Sequence, residues 1–202
     1  MTSDEIISCV QKKLVVLVDG RAGPETWGAI YAYVVKPKIG GVAPADAIEP
    51  VDARSEKTIA TLLPEVRPIV RSLVQKAGQS GIQIKIIGGL RTYAEQDALY
   101  AQGRTKPGAK VTNARAGYSN HNFGIAFDVG VFEGSKYLPE SVKYKAVGAL
   151  GMDLGLEWGG NWKSIVDQPH FQLRPEWAQP LSEKEMLAEL RDRAETGRPV
   201  YA

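Results

Sequence analysis

The chain of 202 residues is long enough for one well-buried domain with a small appendage, and too short for two large domains. Its hydrophobic share of 44% and charged share of 24% are those of an ordinary globular protein, which excludes disordered and fibrous classes. The net charge of +2 comes from interspersed basic and acidic residues, so no nucleic-acid partner is expected. Because Cys9 is the only cysteine, an internal disulfide and a cysteine-based metal site are excluded as well.

The beginning of the chain carries no pattern of an export signal. Its longest early apolar run, residues 14–18, is too short for a signal-peptide core and follows the acidic residues Asp4 and Glu5. We therefore expect the protein to begin its life in the cytoplasm and not to insert into a membrane.

Residues 1–36 are predicted to form a short helical segment of two helices joined by a turn at Asp19-Gly20. The apolar residues at helical spacing are Ile6, Ile7, Val10 and Leu14, followed by Trp27, Ile30, Tyr31 and Val34. Residues 37–54 are rich in glycine and proline and poor in large apolar residues, which is typical of a linker. We place a domain boundary there.

Residues 55–180 mix helical and strand patterns and are predicted to form the main domain. Helices are predicted at residues 55–77, 93–101 and 140–154, and strands at 82–87, 125–132 and 170–173. Ser55 is the predicted N-cap of the first of these helices. A helical tail, 181–202, opens with a capping box of Ser182 and Glu185. The sequence therefore predicts an α+β fold, with a small antiparallel sheet flanked by helices and preceded by a short helical segment.

One strand carries a carboxylate on an otherwise small face. Alternation places Ala126, Asp128 and Gly130 on the same side of the strand, and a buried carboxylate needs a charged or metal partner. His121 lies just upstream, and His170 opens the last strand. Two histidines and one carboxylate leave a coordination position open, as in catalytic zinc sites. We therefore predict one Zn²⁺ ion at the sheet face, bound by His121, Asp128 and His170.

Two further residues fit roles around such an ion. Asp167 precedes His170 by three residues, and Pro169 disfavours a regular helix there, so Asp167 is predicted to be a general base and not a ligand. Arg91 follows the glycines that end the first strand, and its guanidinium would bind a substrate carboxylate or stabilise an oxyanion. On spacing alone, structural histidines, a turn aspartate and a surface arginine remain alternatives.

Four motifs in this order resemble a known family. They are Gly89-Leu-Arg-Thr-Tyr-Ala-Glu-Gln96 with Leu99-Tyr100, Gly103-Arg-Thr-Lys-Pro-Gly108, Ser119-Asn-His-Asn-Phe-Gly-Ile-Ala-Phe-Asp128 and Asp167-Gln-Pro-His-Phe-Gln172. The family is that of the zinc peptidases that include D-alanyl-D-alanine carboxypeptidases and the L-alanyl-D-glutamate endopeptidases of phage endolysins. The motifs span about half of the chain and resemble the endopeptidase branch in particular.

The resemblance implies three zinc ligands, namely His121, Asp128 and His170. It implies that Asp167 is the catalytic base, although many relatives carry glutamate at this position and aspartate is one methylene shorter. It assigns Arg91 to binding the substrate and stabilising the transition state, and it places Gln96 and Ser119 as substrate-binding residues in the pocket around Arg91.

The reaction implied by the resemblance is hydrolysis of the L-alanyl-D-glutamate bond in the stem peptide of peptidoglycan. The alternatives are a D,D- or L,D-carboxypeptidase that removes a terminal D-alanine, and a wall-binding protein without turnover. We expect a monomer that stays in the cytoplasm until it is released to the cell wall. Residues 10–14 and 18–27 are also similar to a small helical peptidoglycan-binding module, the alternative being a helical hairpin without a ligand.

Overall fold

A computed structural model describes residues 2–14, 18–23, 26–27, 50–163 and 165–202 of the chain. The chain divides into two compact units, Met1–Gly41 with Asp153–Gly155, and Val42–Met152 with Leu156–Ala202. Most of the second predicted N-terminal helix and most of the predicted 37–54 linker lie outside the described residues. Within the described ranges, no helix combines the length and the apolar character that crossing a bilayer requires.

The described part of the first unit is organised around one buried amide. Helix α1 (Ser3–Leu14) confirms the first predicted helix. Its buried Gln11 side chain has Nε2 close to three oxygens, which are Asp19 Oδ1 at 2.7 Å, the Arg21 carbonyl at 2.9 Å and Thr26 Oγ1 at 2.9 Å. Gln11 Oε1 accepts the Gly20 N–H at 3.0 Å. Gly20 has a φ of 70°, which glycine adopts without strain, and this allows the tight turn.

Helix α2 (Ala53–Ile59) opens the described part of the second unit and has a different cap from the predicted one. Asp52 is its N-cap, and its side chain accepts the N–H of Ser55 at 3.1 Å. Ser55 is buried, and its Oγ accepts the backbone N–H of Ile86 at 2.9 Å. The prediction of Ser55 as N-cap was wrong because this hydroxyl satisfies a strand amide instead of a helix terminus.

Helix α3 (Arg67–Gln79) follows after a turn and carries Pro68 in its first turn, where proline costs no helical hydrogen bond. The single helical pattern at 55–77 is thus two helices, separated near the prolines. The buried face of α3 consists of Ile69, Val70, Leu73 and Ala77. Both α2 and α3 pack on the first strand of the sheet.

The described strands form one antiparallel sheet. They are β1 (Gln83–Gly88), β2 (Ala126–Glu133), β3 (Lys136–Tyr137), β4 (Glu157–Trp158) and β5 (His170–Gln172). The order is β1-β2-β5-β4, and β3 pairs with the far end of β2. Strand β2 is therefore central, and it is buried along most of its length. This antiparallel sheet with helices confirms the predicted α+β class.

Three more α-helices follow along the described part of the chain. Helix α4 (Tyr93–Ala101) begins with a capping box of Thr92 and Glu95 and has the predicted bounds. Helix α5 (Tyr144–Asp153) is shorter than the pattern at 140–154. Helix α6 (Glu183–Thr196) begins at the predicted capping box and ends at Gly197, which adopts the left-handed conformation.

Helix α6 shares a hydrophobic cluster with the segment that leads into β2. The buried members are Phe123, Ile125, Ala178, Met186, Leu187 and Leu190, and Leu63, Trp177, Val200 and Tyr201 pack against them. The last helix of the chain thus lies next to the beginning of the central strand. This position matters for the site because that same segment carries His121.

Candidate metal centre and cleft

Neighbouring elements bring three predicted metal ligands together. His121 lies in a 3-10 helix, Asn120–Phe123, that ends at Gly124 with a φ of 69°, where the chain turns into β2. Asp128 lies on β2, directly opposite His170 in the register of β2 with β5. Two of the three side chains are therefore cross-strand neighbours on one face of the sheet.

The ligand atoms converge on a small volume. Asp128 Oδ1 lies 3.4 Å from His121 Nε2 and 3.6 Å from His170 Nδ1. One donor atom from each of the three residues lies within 4.8 Å of the others. Both histidines are buried. Two imidazole nitrogens and one carboxylate oxygen at this spacing could hold a metal ion.

The remaining nitrogen of each histidine faces an oxygen. His121 Nδ1 lies 2.8 Å from the carbonyl oxygen of Gly89, which only accepts hydrogen bonds, so Nδ1 carries the proton and Nε2 presents a lone pair. His170 uses the opposite nitrogens, because its Nε2 lies 3.0 Å from Gln172 Oε1 and its Nδ1 faces Asp128. Each ring is held by a contact away from the centre, as is usual for metal-binding histidines.

The electrostatics favour an ionised carboxylate between the two rings. Burial raises the pKa of Asp128, but hydrogen bonding to His121 and His170 outweighs burial and holds the pKa far below its usual range. Burial lowers the pKa of His170, whereas the Asp128 carboxylate raises it and prevails. In the absence of a cation, the Asp128 carboxylate thus favours a proton on His170, and a bound cation would take the place of that proton.

Asp167 lies beside the centre without joining the ligand group that the described residues form. Its backbone N–H donates to the carbonyl of Gly159 at 3.0 Å, and its own carbonyl accepts the N–H of His170 at 3.2 Å. Burial raises the pKa of Asp167, and positive charge on His170 opposes that rise. A carboxylate with a raised pKa at the wall of a cleft is suited to accepting and releasing a proton.

Arg91 approaches Asp128 at Oδ2, whereas the two histidines lie near Oδ1. Its Nη2 is 3.8 Å from Asp128 Oδ2, and its Nη1 donates to Gln96 Oε1 at 2.8 Å. The Arg91 side chain is 22% exposed, so a substrate group in the cleft can reach it. Its backbone is fixed as well, because the Arg91 N–H donates to the His121 carbonyl at 3.0 Å.

Gln96 stands behind Arg91 and is completely buried. Its Nε2 donates to the Ala114 carbonyl at 2.7 Å and lies 3.4 Å from Thr112 Oγ1. Gln96 therefore links Arg91 to the 112–114 loop, which forms one wall of the cleft. Ser119, the other predicted pocket residue, is partly buried and lines the cleft directly.

The cleft around the centre has a volume of about 1470 Å³. Trp158 and Trp162 lie in its wall, and the Trp162 ring is centred 4.8 Å from the ring of His170. Trp158 also donates its Nε1–H to the Gln168 carbonyl at 2.8 Å and stacks on Phe171. A space of this size accommodates an extended peptide segment.

Two glycines leave room for the side chains of the ligand group. A Cβ atom on Gly88 would come within 2.5 Å of Asp128 Oδ2. A Cβ atom on Gly159 would come within 2.5 Å of the Asp167 carbonyl oxygen and 3.0 Å of His170 Cβ. Both glycines are therefore required for close approach and not for a special backbone angle.

Several polar residues behind His170 carried no predicted role. Gln172 appears only as the last residue of the fourth sequence motif, and Glu157 and Arg174 carried no prediction. All three lie in one hydrogen-bonded group with Asn120 and Glu183. The signal available in the sequence was the i, i+2 spacing of His170 and Gln172 on a short strand.

Comparisons with known proteins agree on one family. A family model described as D-alanyl-D-alanine carboxypeptidase matches residues 112–173, a stretch that contains the three residues of the ligand group and Asp167. The peptidoglycan L-alanyl-D-glutamate endopeptidase CwlK of Bacillus subtilis is 37% identical over 55% of this chain and 75% of its own length. The L-alanyl-D-glutamate peptidase of Listeria phage A118 is 30% identical over 59% of this chain, and the match spans 41% of that enzyme.

A solved structure is similar as well. The L-Ala D-Glu endopeptidase ChiX of Serratia marcescens matches with a TM-score of 0.48 and 24% identity, over 67% of this chain and 94% of that chain.

The fold and the site define a metallopeptidase. The chain belongs to the zinc peptidase family of D-alanyl-D-alanine carboxypeptidases and L-alanyl-D-glutamate endopeptidases. The resemblance carried by the four sequence motifs is thereby confirmed.

Proposed function

We propose that the protein is a zinc-dependent endopeptidase that hydrolyses the L-alanyl-D-glutamate bond of the peptidoglycan stem peptide. The names of its relatives CwlK and the phage A118 enzyme support this bond as the target. The observation that carries the proposal is the convergence of His121, Asp128 and His170 in a cleft that also contains a carboxylate and a guanidinium.

The donor set fits zinc. Zinc in hydrolases is commonly bound by two histidines and one carboxylate, with a further position open to water or substrate. When bound at such a site, Zn²⁺ acts as a Lewis acid that polarises a carbonyl group and lowers the pKa of water toward about 7. His121 Nε2 and His170 Nδ1 both face Asp128 Oδ1, so the three atoms that would bind the ion point to one place.

Two side chains then have separate tasks, one transferring the proton and the other stabilising the developing charge. Asp167 accepts a proton from the attacking water and delivers it to the leaving amine, a role that its raised pKa favours. Arg91 binds a carboxylate of the substrate or stabilises the developing oxyanion, because its guanidinium is partly exposed next to Asp128. Gln96 is buried and acts by holding Arg91 in place.

The substrate defines where the protein acts. Stem peptides lie in the cell wall, so we propose that the protein works on the periplasmic or extracellular wall. The stem peptide carries several free carboxylates, and the cleft contains Lys110 and Lys163 in addition to Arg91. Four carboxylates line the same cleft, so these cations offer local contacts to substrate carboxylates and not a net positive field.

Product analysis tests the proposal. Purified peptidoglycan and synthetic stem peptides are incubated with the zinc-loaded protein, and the products are identified by mass spectrometry. We expect fragments with a new N-terminal D-glutamate, and no products after treatment with a chelator until zinc is added back. Release of free D-alanine would instead identify a carboxypeptidase, and retention on insoluble wall without any cleavage would identify a binding protein.

A further inference from the structure

A closed ring of five polar side chains lies behind the metal ligand His170. Gln172, on the same strand, is fully buried and places its Oε1 3.0 Å from His170 Nε2. Gln172 Nε2 donates to Glu157 Oε2 at 2.6 Å. Arg174 then donates through Nε to Glu157 Oε1 at 2.5 Å and through Nη2 to Glu183 Oε2 at 2.8 Å.

Asn120 closes the ring. Its Nδ2 donates to Gln172 Oε1 at 2.5 Å and also to Glu183 Oε1. The ring thus joins β4, β5 and the first residue of helix α6 to the residue that precedes His121. Both histidine ligands are in this way connected to one polar group, His170 through its ring and His121 through the backbone.

The chemistry of the ring determines the direction of every hydrogen bond. Ionised glutamates only accept, so Gln172 must turn its NH₂ group to Glu157 and its carbonyl oxygen to His170 and Asn120. A carbonyl oxygen also only accepts, so His170 Nε2 must carry the proton. Nδ1 is then the nitrogen that can present a lone pair to a metal ion, and Nδ1 is the atom that faces Asp128.

Asn120 supports the same assignment. Both of its amide hydrogens are used by acceptors, and its Oδ1 is buried without a hydrogen-bond partner among the described residues. Turning the Asn120 amide around would satisfy nothing, because it would place Oδ1 against the oxygens of Gln172 and Glu183. The ring therefore has one consistent arrangement of donors and acceptors.

We propose that Gln172 is a positioning residue, which fixes the tautomer and the orientation of His170 so that Nδ1 is available to the metal ion, and that the ring of Glu157, Arg174, Glu183 and Asn120 fixes Gln172. The proposal rests on the proposed zinc site. Gln172 itself does not touch the ion, and its effect is on affinity for the metal.

Metal affinity measured by competition with a chelator tests the role of Gln172. Gln172→Met keeps the volume of the side chain and removes the acceptor, and we expect it to bind Zn²⁺ about 10- to 100-fold more weakly. In a paired exchange, Glu157→Gln with Gln172→Glu, the new carboxylate at position 172 can again accept the N–H of His170. The new amide at position 157 can then donate to that carboxylate. We expect this pair to bind Zn²⁺ within about threefold of the wild type.

The matched control is Gln179→Ala, because Gln179 is exposed and is not one of the residues that line the cleft. Thermal unfolding of each metal-free variant separates loss of affinity from loss of the fold, and the exchange pair keeps the test decisive if Gln172→Met does not fold. Wild-type affinity in Gln172→Met, or an exchange pair as weak as Gln172→Met, would overturn the inference. Absence of zinc binding in the wild type would instead overturn the proposed function.

Discussion

Asp128 is the residue on which the geometry of the centre depends. Its carboxylate contacts two imidazoles through Oδ1 and approaches the Arg91 guanidinium through Oδ2. The space for this carboxylate exists because Gly88, its neighbour on β1, has no side chain. One missing methyl group on an adjacent strand is therefore part of the metal site.

Substituting Gly88 should impair the metal site. In Gly88→Ala the new Cβ would meet Asp128 Oδ2 at 2.5 Å, so the carboxylate must move, and we expect zinc affinity to fall by about tenfold or more. Isothermal titration of the metal-free protein with zinc measures the effect. Gly78→Ala is the control, since its Cβ meets no atom within 4 Å, and it should leave affinity unchanged while adding about 0.5–1 kcal/mol of stability. Equal affinity in both variants would contradict the prediction.

Asp167 and His170 should respond differently to substitution. Asp167→Asn removes the proposed base and retains the ligand group, so we expect bound zinc to persist while the rate of hydrolysis falls by about 10²- to 10⁴-fold. His170→Ala should lose both zinc and activity. Metal content by elemental analysis and product formation by mass spectrometry are measured on the same samples. Equal loss of zinc in the two variants would show that Asp167 is a ligand.

The sequence alone located the residues of the centre but not their support. His121, Asp128 and Asp167 stand in motifs that resemble a known family, so the sequence predicts roles for them, and the structure brings His121 and Asp128 together with His170. The contact of Gln172 with Glu157, Arg174 and Glu183 depends on pairing between β4 and β5 and on the position of helix α6, neither of which a local pattern reveals.

At the scale of secondary-structure elements, strands β3 and β4 escaped prediction because each has two residues, too few to show alternation. Helix α4 has the predicted bounds, and its start coincides with a capping box of a threonine and a glutamate three residues later. Helix α2 shows the opposite case. Its expected cap, Ser55, serves β1, and only the tertiary structure reveals that competing partner.

An ion pair between α2 and α3 should make stability depend on pH. Hydrogen bonding to Arg71 lowers the pKa of Glu56 below its usual value of 4.5, more than burial raises it. A lowered folded-state pKa stabilises the protein above the unfolded-state value, and that contribution is lost as the pH falls through the folded-state pKa. We expect Glu56→Gln to cost about 1–2 kcal/mol at pH 7.

Urea unfolding at pH 7 and at pH 3 measures this difference. The deficit of Glu56→Gln should shrink at the lower pH, because pH 3 lies below the usual pKa of 4.5 and proton binding to the unfolded chain already removes part of the contribution. Glu140→Gln is the control, since Glu140 is exposed, and it should change stability little at either pH. A deficit that stays constant across this range would argue against the ion pair as its cause.

Helix α6 should contribute to the stability of the second unit, Val42–Met152 with Leu156–Ala202. Leu190 is fully buried in the cluster with Phe123 and Ile125, so Leu190→Ala should destabilise the protein by about 2–5 kcal/mol. Chemical unfolding measures the loss, with Lys184→Ala on the exposed side of the same helix as control. A cost below 1 kcal/mol would mean that α6 is only loosely associated with the cluster.

For the whole molecule, binding of the metal ion should stabilise the folded state. Zinc at about 100 times its dissociation constant adds about 2.7 kcal/mol if it binds only the folded protein. For a chain of this size, that corresponds to a rise in Tm of about 5–10 °C. Differential scanning calorimetry with added zinc and with a chelator tests this, and His121→Ala should show no such response. An unchanged Tm in the wild type would count against the metal site.

The α+β class of the whole molecule followed from the alternation of helical and strand patterns, and the structure confirms it. The order of the strands did not follow, because a pattern identifies a strand without its neighbours. The domain boundaries at 37–54 and 180 stay predictions, and most of the first of these regions lies outside the described residues.

Asp128 on β2 lies opposite His170 on β5. The backbone hydrogen bonds between the two strands therefore fix the spacing of these two side chains. The relative position of these two side chains is thus set by the register of the two strands and does not depend on an ion. A slip of a single residue between these strands would turn His170 away from Asp128 and Phe171 out of the core, so the ligand group and part of the core would be lost together.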